Sequence, residues 1–231
     1  MNHLKFRRAL NILLGFSLLQ GAITSNGAVF GKSAAPEATF MVNSTADADD
    51  INRGDGTCET GPGNDICTLR AAIREANALA GADTITLPAG RDTLTLVGED
   101  STGAAGDLDI TGDLTITGAG SGTTIIDANS AVTNDRAIDI PFAFIPRVVS
   151  ISGVTIRNGK ASFGGGLRNY GSLTISSSIF SSNEASSSAA EFLMGGAIYN
   201  DGWLSISDST FSLNKALADD QNAYGGAFAK T

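Results

Sequence analysis

Aspartates make up most of the side chains in this sequence that could do chemistry. The candidates are Asp107, Asp109, Asp113, Asp135 beside Arg136, Asp139 and the pair Asp219–Asp220. Two carboxylates at a fixed separation can hydrolyse a glycosidic bond, and clustered carboxylates that hold Ca²⁺ beside a basic residue can cleave an acidic polysaccharide. None of these residues belongs to a recognisable catalytic motif. The sequence therefore keeps a polysaccharide lyase or hydrolase that acts on acidic glycans as an alternative hypothesis.

Other catalytic groups are scarce. The single histidine, His3, lies in the N-terminal segment. Without another imidazole the chain cannot form a Ser-His-Asp or Cys-His arrangement, and zinc lacks its usual ligands. The sequence thus favours a protein with no catalytic residues over an enzyme.

A second acidic group lies in the loop 47–67. Its candidate ligands for a calcium-dependent carbohydrate-binding site are Asp47, Asp49, Asp50 and Asp55. The match to the helix-loop-helix calcium template is partial, because Ile51 stands at the third ligand position and no Glu closes the loop. Calcium is the one cofactor considered, and the other interpretation is a solvated loop with no cofactor.

The first 28 residues have the order of a secretory signal peptide. Basic residues at Lys5, Arg7 and Arg8 precede an apolar run from Ala9 to Leu19, and small residues follow. The run is short for a bilayer span and no later segment resembles one, so we expect no transmembrane span after signal removal. An uncleaved anchor is the alternative. Residues 29–39 are expected to form a linker.

Cys58 and Cys67 are the only cysteines. An even number of cysteines in an exported chain predicts a disulfide between them, because the compartments outside the cytoplasm are oxidising. The chain is also acidic, with a formal net charge of −9. Such a charge repels phosphate backbones, so nucleic acid is not an expected partner.

Composition and patterning indicate an all-β protein. Glycine is abundant, only 17% of residues are charged, and short runs with alternating apolar residues follow one another from Asp83 onward. One amphipathic helix is predicted at residues 68–80, with Thr68 as its cap and with Arg70, Arg74 and Glu75 on the side opposite its apolar face. We expect it to cover the open end of a stacked core.

Internal repeats define the architecture. Residues 164–185 and 195–216 align without a gap when one is shifted by 31 positions. The matched positions include Asn169 with Asn200, Phe180 with Phe211, Asn183 with Asn214, and the pair Gly195–Gly196 that opens the second repeat. Each repeat predicts one coil of a solenoid that is stable only when stacked. Asn183 also aligns with Gly159, which predicts a left-handed corner there, and stacked Asn side chains predict hydrogen-bonded ladders.

The fold class is therefore predicted to be a right-handed single-stranded parallel β-helix, a pectin-lyase-like solenoid, with one N-terminal capping helix. Residues 40–90 are assigned to the cap and residues 91–231 to the coils. The last coil, around residues 227–231, is expected to be uncapped and to favour edge-to-edge self-association.

The stretch CTLRAAIREAN at 67–77 resembles the CSLREA domain, although Thr68 and Ala71 replace the Ser and Glu of that name. The second half is similar to polymorphic outer-membrane-protein repeats, whose GGAI and FxxN signatures stand at residues 195–198, 180–183 and 211–214. This resemblance implies an exported bacterial β-helix and surface display, and neither family implies catalytic residues. We expect a secreted, cell-surface or outer-membrane structural protein of adhesin type, with surface glycans or host matrix proteins as partners.

Overall fold

The strands of this protein lie in register, one coil above the next. The computed structural model describes residues 37–98, 101–186, 192–217 and 223–230, all within one compact unit of residues 34–231. The predicted signal peptide, most of the predicted linker, and the pair Asp219–Asp220 lie outside the described residues.

The elements follow one another in this chain order: β1 Thr39–Met41, α1 Leu69–Ala78, β2 Ala82–Leu87, β3 Gly90–Thr93, β4 Leu108–Asp109, β5 Asp113–Gly118, β6 Thr124–Asp127, α2 Ser130–Thr133, β7 Ile138–Ile140, β8 Val148–Ser152, β9 Thr155–Arg157, β10 Lys160–Ala161, β11 Leu167–Asn169, β12 Ser172–Ser176, β13 Ile179–Ser181, β14 Glu184–Ala185, β15 Leu193–Met194, β16 Ile198–Asn200, β17 Trp203–Ser207, β18 Thr210–Ser212, β19 Lys215–Ala216, β20 Ala223–Tyr224 and β21 Phe228–Lys230. Short strands separated by turns fit the glycine-rich composition. The four-residue helix α2 occupies a segment that was not predicted to be helical.

Three long parallel sheets form the sides of the coil stack. Their strand orders are β1-β2-β5-β8-β12-β17, β4-β7-β11-β16-β21 and β3-β6-β9-β13-β18, and β10-β14-β19 and β15-β20 are smaller sheets. Strands that pair are separated along the chain by a full coil, which gives a right-handed parallel β-helix. This confirms the predicted fold class.

The register confirms the repeat that the sequence predicts. Asn169 pairs with Asn200, and Phe180 pairs with Phe211. The two phenylalanine rings stack inside the coils with centroids 5.1 Å apart. A column of fully buried isoleucines fills another side of the core, at Ile85, Ile116, Ile151 and Ile175. Each such side chain contributes about 1.5–3 kcal/mol by leaving water, so stability accumulates with every coil that is added.

Helix α1 covers the N-terminal end of the stack, as predicted. The hydroxyl of Thr68 accepts a hydrogen bond from the Ala71 amide and so caps the first turn. Leu69, Ile73 and Ala76 join the core cluster of the coils. The helix ends at Ala78, two residues before the predicted end.

The predicted left-handed corner is one residue away from its predicted position. Positive φ occurs at Asn158, Ser182 and Leu213, and the following residues Gly159 and Asn183 do not have it. Gly159 is needed for another reason, since a Cβ there would lie 2.0 Å from the Gly165 carbonyl oxygen. Close approach of two backbone segments explains this glycine, and the prediction of positive φ at the Gly159 and Asn183 position was wrong.

Asparagine ladders join the coils at two corners, as predicted. Asn183 donates to the Asn214 side chain at 3.0 Å and to the Ile156 carbonyl at 3.1 Å. Asn169 donates to the Asn200 side chain at 2.6 Å. Each buried amide therefore bonds to the coils beside it, which leaves few polar groups unsatisfied in the corners.

The paired glycines mark a repeated turn. Gly195 has a φ of +68°, and Gly164 and Gly225 have nearly the same value in the neighbouring coils. At Gly196 a Cβ would lie 2.2 Å from the Lys215 carbonyl oxygen. The first glycine thus supplies the backbone angle, and the second allows close packing of the coils.

Candidate functional site

The acidic loop 47–56 lies against α1. Arg70, which is completely buried, donates to both carboxylate oxygens of Asp47, at 2.6 and 3.2 Å. It also donates to three backbone carbonyls, of Gly103, Gly106 and Asp107. All five guanidinium donors therefore have an acceptor. Burial alone would raise the pKa of Asp47, but the bonds from Arg70 and from the Thr95 and Leu96 amides hold it below its usual value.

Two other charged residues of α1 hold the same loop. Arg74 donates to both carboxylate oxygens of Asp49, at 3.0 and 3.3 Å, and Glu75 accepts from the amides of Gly54 and Gly56. Arg74 and Glu75 are buried although the sequence places them opposite the apolar face of the helix. The acidic loop covers the charged face of α1 and the coils cover its apolar face, so the helix is enclosed on both sides.

These contacts occupy the oxygens that were proposed as calcium ligands. Asp47 and Asp49 pair with arginines, whereas Asp50 and Asp55 accept hydrogen bonds from backbone amides of their own loop. Within residues 37–98, 101–186, 192–217 and 223–230, no three Asp, Glu, His or Cys side chains are grouped as a metal site would require. The geometry supports a structural role for the four aspartates.

The predicted disulfide is confirmed. Cys58 and Cys67 are joined with a Cα–Cα distance of 5.1 Å. Cys67 is buried against α1, and Cys58 packs against the core cluster. The bridge therefore fastens the acidic loop to the capping helix.

Most of the aspartates proposed for carbohydrate chemistry meet in one cavity of about 290 Å³. We call it the Asp/Arg cavity, and its lining residues are Ser101, Asp107, Asp109, Asp135, Arg136, Asp139, Pro141 and Arg168. Asp113 lies elsewhere and accepts from the Val148 amide at 2.8 Å.

Strand register brings the charges of this cavity together. Asp109 on β4 pairs with Asp139 on β7, and Asp139 pairs with Arg168 on β11. Neighbouring strands are about 4.8 Å apart, so these side chains leave the same face as a column. Arg168 donates to both oxygens of Asp139, at 2.7 and 2.6 Å, and these bonds raise the pKa of Arg168.

Asp107 is a carboxyl of this cavity whose pKa is raised. Burial raises its pKa to about 8, and the nearby charges of Asp135, Asp109 and Asp139 act in the same direction. Arg136, 3.4 Å away, opposes the shift. Burial and the neighbouring carboxylates therefore favour the protonated form of Asp107.

A second candidate surface lies on the sheet that starts with β1. Two columns of its outward side chains cross six strands, and every member of the two columns except Met41 carries a hydroxyl. The first column is Thr39, Thr84, Thr115, Ser150, Thr174 and Ser205, and the second is Met41, Thr86, Thr117, Ser152, Ser176 and Ser207. We call this surface the hydroxyl face. Its hydroxyls recur about every 4.8 Å between coils and about every 6.6 Å along a strand.

Neither Arg168 nor the hydroxyl face was predicted from the sequence. Arg168 was not a candidate, although it precedes Asn169 in the repeat and could have been placed beside the aspartates by register. The hydroxyl face is visible as a Thr/Ser-Ile-Thr/Ser triplet in successive strands, at 84–86, 115–117, 150–152, 174–176 and 205–207. Alternation predicts that such hydroxyls share one side of a sheet.

Comparison with protein-family models, curated proteins and solved structures finds no match for the chain. The resemblance to the CSLREA domain and to the outer-membrane-protein repeats thus stays a prediction. None of the helices in the described part of the chain has the length and apolar character needed to cross a membrane.

Proposed function

We propose that this protein is an exported structural β-helix of adhesin type, which binds extended glycan chains on its hydroxyl face. The observation that carries the proposal is the register of the two hydroxyl columns across six strands. A hydroxyl both donates and accepts hydrogen bonds, as the hydroxyls of a glycan do. A repeated ligand can engage many such groups at once, which multiplies weak contacts.

The chemistry of the face favours a glycan over a host matrix protein. Protein interfaces are built around aromatic residues and arginine at their centre, and serine is depleted there. The two columns are uncharged and mostly hydroxyl-bearing. Binding to such a surface depends on hydrogen bonds rather than on buried apolar area.

Two observations support export. The disulfide between Cys58 and Cys67 is a bond that persists in oxidising compartments. The basic and then apolar N-terminal segment has the order of a signal peptide. Secretion or display at the cell surface would expose the hydroxyl face to glycans.

The proposal is tested by co-sedimentation of the purified protein with insoluble cellulose, chitin and peptidoglycan. We expect retention on at least one of them. Replacing Thr115→Val and Thr174→Val together removes two hydroxyls and keeps the side-chain shape. A net hydrogen bond contributes about 1 kcal/mol, so the loss of two should weaken binding by about 30-fold.

A matched control removes two hydroxyls from another side of the coils. Thr210→Val and Ser212→Ala both change exposed positions of β18, outside the hydroxyl face. This double variant should bind as the unmodified protein does. Absence of retention on all three polysaccharides, or equal weakening in both double variants, would contradict the proposal.

A further inference from the structure

One corner of the coil stack is longer than its counterparts. This corner leads into the hydroxyl face, and by strand register it takes two residues in three coils, at 111–112, 170–171 and 201–202. In the coil of β7 and β8 it takes seven residues, 141–147. The first six, 141–146, read PFAFIP, and we call them the apolar loop. Insertions into single repeats often lie on a binding face.

The coils stack without help from this insertion. The next coil bonds to the backbone on either side of it: the Tyr170 amide donates to the Ile140 carbonyl at 2.9 Å, and the Ser172 amide donates to the Arg147 carbonyl at 2.7 Å. The apolar loop thus leaves the stack after one ladder bond and returns before the next. A segment that the fold does not require, and that exposes apolar side chains, indicates an interaction site.

The apolar loop presents its largest side chains to solvent. Phe142, Phe144 and Ile145 are 69%, 99% and 77% exposed. The two phenylalanine rings meet edge to face, with centroids 5.9 Å apart. Pro141 and Pro146 fix the backbone angle φ at the two ends and so restrict the loop. The three apolar side chains therefore form a convex tip.

We propose that the apolar loop inserts into the surface of a zwitterionic lipid bilayer, with the side chains of Phe142, Phe144 and Ile145 below the headgroups. The inference does not rest on glycan binding at the hydroxyl face. No side chain of residues 141–146 carries a charge or a hydrogen-bonding group, and the two prolines have no amide N–H. Few polar groups must therefore lose water when the loop enters an apolar phase.

The size and shape of the tip favour lipid over a protein partner. A buried phenylalanine covers about 150–250 Å², so the three side chains offer on the order of 500 Å², less than the roughly 800 Å² that each partner buries in a standard protein interface. A protein would also need a pocket shaped for the tip, whereas lipid adapts to it. The formal net charge of −9 disfavours both a second copy of the chain and anionic lipids.

The test moves the single tryptophan of the full chain to the tip. Phe144→Trp in a Trp203→Phe background supplies an indole that reports on the apolar loop alone. Leu213→Trp in the same background is the matched control, since Leu213 is 76% exposed and follows β18, outside the hydroxyl face. With phosphatidylcholine vesicles, we expect the emission from position 144 to move to shorter wavelength and its quenching by acrylamide to fall several-fold. Position 213 should show neither change.

A second pair of substitutions tests whether the neighbouring side chains insert as well. Phe142→Ser with Ile145→Ser, added to the Phe144→Trp chain, should weaken vesicle binding at least about tenfold, because less apolar surface leaves water. Both positions are exposed, so thermal melting should be unchanged.

No spectral change at position 144, equal changes at positions 144 and 213, or binding that the two serines leave intact would overturn the inference. A concentration-dependent dimer that the two serines abolish would also overturn it, because a second copy of the chain would then cover the tip.

Discussion

Arg70 carries a charge into the interior of the cap, where every donor of its guanidinium is used. Removal of one partner of a buried ion pair costs far more than removal of an exposed one, because the other charge stays buried without compensation. The same principle applies to carboxyls that are buried without a cation. In Asp92, one carboxyl oxygen has no hydrogen-bond partner among the described residues, and burial raises the pKa to about 6. Single residues thus fix both the packing of the cap and the response of the protein to pH.

The variant Arg70→Met should lower the free energy of unfolding by about 3–5 kcal/mol, because Asp47 then loses its partner in a buried site. Urea denaturation followed by circular dichroism measures this. Arg91→Met is the matched control, since Arg91 pairs with Asp127 but is 53% exposed, and it should cost less than about 1 kcal/mol. Equal losses for the two variants would show that the Arg70 pair is not the anchor of the cap.

The Asp92 carboxyl should make the protein less stable as pH rises from about 4 to above 6. Its pKa is higher in the folded state than the ordinary 3.8, so the folded protein binds the proton more tightly in this window. Asp92→Asn removes the ionisation. We expect the variant to match the unmodified protein at pH 4 and to exceed it by about 3 kcal/mol at pH 7. A constant difference across pH 4–7 in urea denaturation would be inconsistent with this explanation, and Asp208→Asn, at an exposed turn, serves as the control.

At the scale of elements, each coil repeats the same corner, and the corner tolerates some residues better than others. The positive-φ position is occupied by Asn158 in one coil, by Ser182 in the next and by Leu213 in the last of the three. Asparagine adopts this conformation readily, whereas a leucine is strained in it by about 1–2 kcal/mol. The coil with Leu213 therefore stores strain that the coil with Asn158 avoids.

Leu213→Asn should raise the free energy of unfolding by about 1 kcal/mol, because it relieves this strain at a side chain that is 76% exposed. Thermal melting provides the measurement. Leu217→Asn is the control, since Leu217 is also exposed but does not have positive φ. If both substitutions stabilise the protein equally, removal of an exposed leucine would explain the gain and strain at the corner would not.

The elements also show what sequence could predict. The 31-residue match of Phe180 with Phe211 fixes the strand register, because identical coils bury identical side chains. The burial of Arg70, Arg74 and Glu75 could not be read in this way, since it depends on an irregular loop that folds back over α1. The predicted corner at Asn183 was one residue off for a similar reason. An Asn in a turn suggests positive φ, but here its side chain joins the ladder while Ser182 takes the backbone angle.

At the scale of the whole molecule, the coil stack carries two surfaces with different chemistry. The hydroxyl face is uncharged and repeats across six strands, whereas the Asp/Arg cavity is a single charged site on another sheet. The sequence identifies five aspartates of the early coils as candidates because of their residue type. Only the strand register shows that Asp109, Asp139 and Arg168 share one column. Stacking of coils thus gathers residues that lie far apart in the chain.

Incubation with pectin or alginate should release no unsaturated products. Arg136 and Arg168 are both engaged by aspartates, so neither is left to hold a uronate carboxylate. Ultraviolet absorbance of unsaturated uronates and a reducing-end assay give the answer. Product release that disappears in Asp107→Asn would contradict this expectation and favour the lyase or hydrolase hypothesis instead.

The most direct test of the central claim uses the single tryptophan of the chain. Trp203 is 60% exposed and lies on β17, two residues before Ser205 and on the same outward side of the sheet. A glycan on the hydroxyl face should shield this indole from acrylamide. We predict that soluble oligosaccharides of the polysaccharide that retains the protein reduce the quenching of Trp203 fluorescence, and that Thr115→Val with Thr174→Val weakens this protection. Unchanged quenching at saturating ligand would contradict binding at the hydroxyl face.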